Sequence, residues 1–171
     1  MVEEPLKVWQ NLEGINFLGL CIENGKLWSF MFQVLAMVTI WEEHNGKDKQ
    51  ILLAERSIYS VVKMFGKYLL EKQMLQKSQF VVLNKMMQVL KKSVSREEVF
   101  VYLRASPEVA YQRAKERQRE EEMKLAQGYF QDLHEKLEDW ILQEEGLIAV
   151  IDAERDPEEV TREMMEILQR W

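Results

Sequence analysis

The stretch Val99–Glu122 reads V-F-V-Y-L-R-A-S-P-E-V-A-Y-Q-R-A-K-E-R-Q-R-E-E-E. Its apolar start predicts a strand over Val99–Arg104, and the rest predicts a helix over Pro107–Glu122. Pro107 suits the first helical turn, and Ser106 before it is a candidate N-cap. The helix begins neutral and then gathers Arg113, Lys115, Arg117 and Arg119. On a helix Arg113 and Arg117 share a face, whereas Arg119 lies well round it. A basic segment following a strand–helix turn is what an enzyme needs to close over transferring phosphates.

Outward from this stretch the same alternation continues. Ile51–Ala54 and Leu147–Ile151 are further apolar runs of strand length, and both are nearly continuous in hydrophobicity, as parallel strands covered on both faces are. Helices are expected over Asn16–Glu23, Lys26–His44, Ser57–Gln73, Gln79–Ser95, Gly128–Glu144 and Pro157–Trp171, with Asp156 capping the last. Lys26–His44 is apolar all round and therefore reads as a core helix. Trp28–Trp41 within it is too short to span a bilayer and carries Ser29, Gln33 and Thr39. Strands alternating with long helices predict a helix-rich α/β fold, a parallel sheet flanked by helices.

The chain has 171 residues, enough for one domain with a sizeable core, and the expectation is a single domain over residues 1–171. Apolar residues make up 47%, which excludes a disordered chain. A net charge of −6 argues against a nucleic-acid surface, and Glu120–Glu122 directly offset the arginine run. Cys21 is the single cysteine, so no internal disulfide is possible and a reducing compartment is expected. The acidic start M-V-E-E-P resembles neither a secretory nor a mitochondrial leader. The expected location is cytoplasmic, with a mitochondrial one as the alternative if a segment precedes it. No membrane partner is expected.

Polar residues follow each apolar run: Glu55-Arg56-Ser57, Arg104-Ala105-Ser106, and Asp152. In open parallel sheets ligands bind beyond the carboxyl ends of strands. Glu55 and Arg56 could orient a hydroxyl and a phosphate, or simply form a surface ion pair at a helix start. Glu4, fixed by Pro5, could serve as a general base or be a solvated acid. Gln33, within an apolar helix, could read a nucleobase edge or be a satisfied core glutamine. Trp9 and Phe65 could flank a flat ring or pack as ordinary core. His134 has no Cys or second His nearby, so it makes a poor metal site, and no metal-ligating set is read.

Together these motifs resemble the deoxyribonucleoside kinase family. The resemblance rests on E-E-P-L-K-V-W-Q-N-L at Glu3–Leu12, F-Q at Phe32–Gln33 and E-R-S-I-Y-S at Glu55–Ser60. It continues through Y-L-R-A-S-P-E-V-A-Y-Q-R at Tyr102–Arg113, R-E-E-E at Arg119–Glu122 and L-H-E-K-L-E-D-W-I at Leu133–Ile141. It implies a P-loop kinase-like fold, transfer of the ATP γ-phosphoryl to a deoxynucleoside 5′-hydroxyl with Mg²⁺, and a homodimer. By position it implies that Glu4 is the general base, that Arg56 holds the 5′ region, and that Glu55 lies near the metal. It further implies that Gln33 bonds the base, Phe65 stacks on it, and Trp9, Leu18 and Phe32 form walls. Arg113, Arg117 and Arg119 correspond to the phosphate-covering lid, and Glu122 to its contact with the sugar 3′-hydroxyl. Ile40 and Val61 replace a polar pair of the purine- and cytidine-preferring relatives, which points toward a pyrimidine of the thymidine type.

The chain departs from the family pattern in three places. No G-x-x-x-x-G-K-S/T loop occurs, and in the family the strand feeding that loop is the central one of the parallel sheet. Without it, a gap of about 10 Å would separate Ile51–Ala54 from Val99–Arg104, since strands pair about 4.8 Å apart. Ile22 stands where relatives have a tyrosine sharing the sugar 3′-hydroxyl, and Val62 where they have an arginine. Three functions fit these residues: a kinase lacking its phosphate loop and impaired for it, a non-catalytic nucleoside-binding or dimerising derivative, or a helical interaction module.

Overall fold

A computed structural model describes residues 2–45, 52–93 and 97–170 of the chain. They fall into two compact units, Met1–Ser95 and Arg96–Trp171.

The first unit is helical. Pro5 precedes the short α1 (Leu6–Gln10), which the sequence reading missed. In α2 (Phe17–Glu23) the Asn16 side chain accepts the Gly19 N–H at 2.8 Å, closing an orphan donor of the first turn. The long α3 (Gly25–Asn45) buries Ser29, Phe32, Gln33, Ala36, Met37, Thr39 and Ile40. It packs against α1 and α2, and against α6 (Lys77–Ser93). Met37, Ile40, Val61, Val62 and Leu83 are the most enclosed apolar side chains of this core.

Two expectations for this unit need correction. Of the strand expected over Ile51–Ala54, the described residues 52–54 form no regular strand. Ile51 lies outside the described residues, and Ala54 makes a single parallel bridge with Val2. Val2 N–H donates to the Leu53 carbonyl at 2.7 Å, and Glu55 N–H donates to the Val2 carbonyl at 3.1 Å. An apolar run becomes a strand only where a neighbour of matching length pairs with it, and here the partner is one residue. The helix expected over Ser57–Gln73 is α4 (Ile58–Ser60), a π-helical segment (Val61–Gly66) and α5 (Lys67–Glu71) in succession. A π turn follows no simple residue signal, so the apolar spacing predicted a plain helix. Of the helix expected over Gln79–Ser95, residues 94–95 lie outside the described residues.

The second unit is built on two parallel strands, β1 (Phe100–Arg104) and β2 (Leu147–Asp152). Tyr102 pairs with Val150, Leu103 with Ile151 and Arg104 with Asp152, after an irregularity between Phe100 and Val101. A Cβ on Gly146 would lie 3.0 Å from the Glu98 carbonyl, so this close approach admits only glycine without a backbone shift. Among the described residues β1 has β2 as its one strand neighbour, so its second edge carries no strand.

The crossover runs through α7 (Pro107–Arg117), a 3₁₀ turn (Glu122–Lys124) and α8 (Gln127–Ile141), and β2 leads into α9 (Pro157–Arg170). Ser106 and Asp156 act as the sequence implied. Ser106 Oγ accepts the Val109 N–H at 3.5 Å, and Asp156 Oδ1 accepts the Glu158 N–H at 2.8 Å. Tyr111 and Phe130 meet edge-to-face at 5.6 Å and join α7 to α8. Phe100 meets Trp140 the same way at 5.8 Å.

The helix expected over Pro107–Glu122 ends at Arg117. Gln118 adopts the left-handed conformation (φ 54°, ψ 36°), and its N–H turns back to the Lys115 carbonyl. Gly usually fills such a position, because a Cβ there meets the following carbonyl. Gln118→Gly is therefore expected to stabilise the protein by about 0.5–1 kcal/mol, read as a rise in the urea midpoint at unchanged slope.

Candidate functional site

The first unit carries Glu4, Glu55, Arg56 and Phe65 in one set of contacts and Trp9 with Phe32 in another, and Gln33 follows Phe32 on α3. α1 brings Trp9 onto α3, where the indole Nε1–H donates to Thr39 Oγ1 at 2.9 Å. The Thr39 hydroxyl in turn donates to the Leu35 carbonyl at 2.8 Å, so the ring is locked to the helix backbone. Trp9 and Phe32 meet edge-to-face at 5.4 Å and form one apolar wall. The sequence reading gave Thr39 no part in holding Trp9. Its signal was a hydroxyl within an apolar helix, but its partner lies thirty residues away.

Gln33 follows Phe32 and is 3% exposed. No described residue forms a hydrogen bond with its carboxamide. The Gln33 amide atoms are not sealed off among the described residues, so their one acceptor and two donors stay open to a ligand. Ser29, one turn earlier on the buried face, contacts Cys21 Sγ at 3.6 Å. Burial pushes the Cys21 thiol pKa up, and the Ser29 hydrogen bond partly offsets this. Leu18 and Ile22 lie part-buried on α2. Ile40 and Val61, each 2% exposed, are enclosed in the same unit.

Near the N-terminus, Arg56 Nε lies 2.8 Å from Glu4 Oε1. The Glu4 side chain is 8% exposed and that of Arg56 33%. Glu4 N–H donates to Glu55 Oε2 at 3.4 Å, and Glu55 is itself exposed. The Arg56 guanidinium lies over the Phe65 ring, 4.5 Å from its centroid. Phe65 itself sits in the π-helical segment. Among the described residues no group of three or more His, Cys, Asp or Glu side chains could hold a metal ion by itself.

The second unit carries the arginine run. Arg113 Nη2 donates to the Ala153 carbonyl at 2.8 Å. Arg117 and Arg119 both bind Glu122, at 2.6 and 3.2 Å. The left-handed turn at Gln118 permits this, since Arg119 leaves the helix and folds back beside Arg117. Lys115 Nζ donates to the Met123 carbonyl at 2.8 Å. At the strand ends, Ser106 N–H donates to Glu154 Oε1 at 2.7 Å, and the Ser106 hydroxyl and amide hold the Glu154 carboxyl below its usual range.

A second cluster holds β1 to α8. Arg104 grips Glu138 through two bonds, Nε–Oε1 at 3.1 Å and Nη2–Oε2 at 2.7 Å. Tyr102 shares that carboxylate, and His134 Nε2 lies 4.0 Å from Glu138 Oε1. Burial raises the Tyr102 pKa, and the neighbouring Glu138 adds to the rise. His134 thus lies beside this cross-brace.

Comparison with known proteins adds to this geometry. The sequence pattern of the family described as deoxynucleoside kinase matches residues 1–171. Human mitochondrial thymidine kinase 2 is 31% identical over 144 residues, covering 83% of this chain and 54% of that protein. Mitochondrial deoxyguanosine kinase of Xenopus laevis is 28% identical, covering 81% of this chain and 61% of that protein. Human deoxycytidine kinase is 27% identical, covering 83% of this chain and 65% of that protein. The chain thus spans between 54% and 65% of the length of these relatives. No helix among the described residues is long and apolar enough to cross a membrane. With a family match along its whole length, the chain belongs to the deoxynucleoside kinase family.

Proposed function

We propose that the chain holds the deoxynucleoside, and supplies the lid, in transfer of the ATP γ-phosphoryl group to a 5′-hydroxyl. The observation that carries this is Gln33: a residue 3% exposed whose carboxamide has no hydrogen bond among the described residues, next in sequence to Phe32 of the Trp9–Phe32 wall. Such a group suits the donor and acceptor edge of a base. The apolar Ile40 and Val61 favour a pyrimidine with a methyl group, of the thymidine type.

In this reading Glu4 accepts the 5′-hydroxyl proton as the oxygen attacks the γ-phosphorus and the bond to the diphosphate leaving group breaks. Arg56 keeps the Glu4 carboxylate oriented and carries positive charge to the acceptor oxygen. Mg²⁺ is commonly bound by one or two carboxylates together with substrate phosphates, and the exposed Glu55 would serve it, lowering the charge on the phosphates. Arg113, Arg117 and Arg119 would meet the phosphates, with Glu122 released from its arginine partners to the sugar 3′-hydroxyl. Ile22 offers no donor there, so discrimination at the sugar would be weak.

The 171 residues contain no G-x-x-x-x-G-K-S/T stretch, so no such backbone cradle for the ATP phosphates comes from them. Transfer by this chain alone is therefore expected to be slow. Exposed apolar side chains on α3 (Leu27, Met31, Val38) and α6 (Val81, Val82, Val89) support a homodimer through these helices.

Calorimetric titration with thymidine and deoxycytidine tests the reading, followed by a transfer assay with Mg²⁺ and ATP. Saturable binding, tighter for thymidine, with turnover near background is expected. No binding at millimolar nucleoside overturns the site, and robust turnover overturns the role assigned to the missing loop.

A further inference from the structure

We propose that Phe65 is a positioning residue for Arg56: its ring holds the guanidinium against Glu4 and so sets the grip on the ligand's 5′-hydroxyl. This rests on the nucleoside reading above and adds a second role to a residue that the family resemblance assigns only to the base.

Arg56 is a long side chain, one-third exposed. An arginine with that freedom gains little from one carboxylate, because solvent screening and rotamer entropy consume most of the attraction. Here it has two restraints. Glu4 Oε1 lies 2.8 Å from Nε, and the Phe65 ring supports the guanidinium carbon 4.5 Å from its centroid. A flat cation on an aromatic face is confined in plane and in direction, which a lone ion pair does not achieve.

Phe65 reaches that place through the local backbone. It lies in the π-helical segment Val61–Gly66. One extra residue in an α-helix rotates everything beyond it by about 100°. With plain α-helical geometry from Ile58 onward, Phe65 would point elsewhere and Arg56 would lose its platform. Gly66 permits the packing behind the segment: a Cβ there would lie 3.1 Å from both Phe80 Cε2 and the Val61 carbonyl oxygen. The π turn, Gly66 and Phe80 thus serve one geometry, the ring beneath Arg56.

The test separates this role from stacking on the base by changing the ligand as well as the protein. Dissociation constants of thymidine and 5′-deoxythymidine are measured for the chain and for Phe65→Tyr, Phe65→Leu and Arg56→Gln. The unaltered chain is expected to prefer thymidine. Phe65→Tyr keeps the preference, Phe65→Leu reduces it by about two- to fivefold, and Arg56→Gln removes it. Phe65→Leu weakening both ligands equally would show a base-stacking role only and overturn the proposal. So would loss of the preference in Phe65→Tyr, or full preference in Arg56→Gln, which keeps the test decisive if Phe65→Leu fails to fold. Thymidine binding with no preference for its 5′-hydroxyl overturns the proposal but leaves the base site standing. Failure to bind either ligand overturns both.

Discussion

Gln33→Leu is expected to weaken thymidine binding by about ten- to a hundredfold, while leaving the unliganded protein as stable as before. The two halves of this result have one cause. Gln33 is 3% exposed and no described residue forms a hydrogen bond with its carboxamide. An ordinary core glutamine would have partners, and its replacement would leave them stranded at a cost of roughly 1–3 kcal/mol. Here the amide has no such partner to strand, so an apolar side chain of similar volume is tolerated. The loss appears only when a base arrives whose donors and acceptors find nothing to bond. Calorimetry gives the affinity and thermal unfolding gives the stability. Lower stability with unchanged affinity would mark Gln33 as structural.

Glu138→Ala is expected to destabilise the second unit by about 2–3 kcal/mol, from the loss of charge-assisted hydrogen bonds. The carboxylate accepts two bonds from Arg104 and is shared by Tyr102, which is 6% exposed. Arg104 can turn to water, whereas the buried Tyr102 hydroxyl cannot. Glu138→Gln keeps an acceptor for Tyr102 and should cost less. The pH dependence has a definite sign. Burial opposes ionisation of Glu138, but hydrogen bonds from Tyr102 and Arg104, with the charges of Arg104 and His134, hold its pKa below the ordinary value. Its contribution is complete above the unfolded-state value, about 4.3, and is lost as pH falls through the lower folded value. The gap between the unaltered chain and Glu138→Ala in urea unfolding should therefore be widest near neutrality and shrink in acid. A gap that does not change with pH would contradict the charged cross-brace.

Much of the architecture was legible because local chemistry and tertiary structure agreed. Ser106-Pro107 and Asp156-Pro157 marked helix starts, and β1 and β2 formed from apolar runs that found each other. Other features depended on information absent from any short window. The end of α7 at Arg117 could not be read, since Gln118 takes a left-handed turn without the glycine that usually signals one. The apolar run before Glu55 resembled a strand, yet strand formation depends on a partner, and Val2 supplies one bridge. The π segment carries ordinary helix-compatible residues, and its effect on Phe65 appears only in three dimensions. For the site, Gln33 stood out as a polar residue in an apolar helix. The Trp9–Thr39 bond did not, because it forms only once α1 lies on α3. The arginine run was visible as charge, but its engagement with Glu122 and the Ala153 carbonyl was not.

The central claim is that the Gln33 amide meets a nucleobase. The most direct measurement is the NMR signal of the Gln33 side-chain NH₂, assigned by its disappearance in Gln33→Leu and followed as thymidine is added. A saturable shift of that signal, absent on addition of deoxyribose alone, is the predicted result. A Gln33 signal unmoved at saturating thymidine would contradict the account.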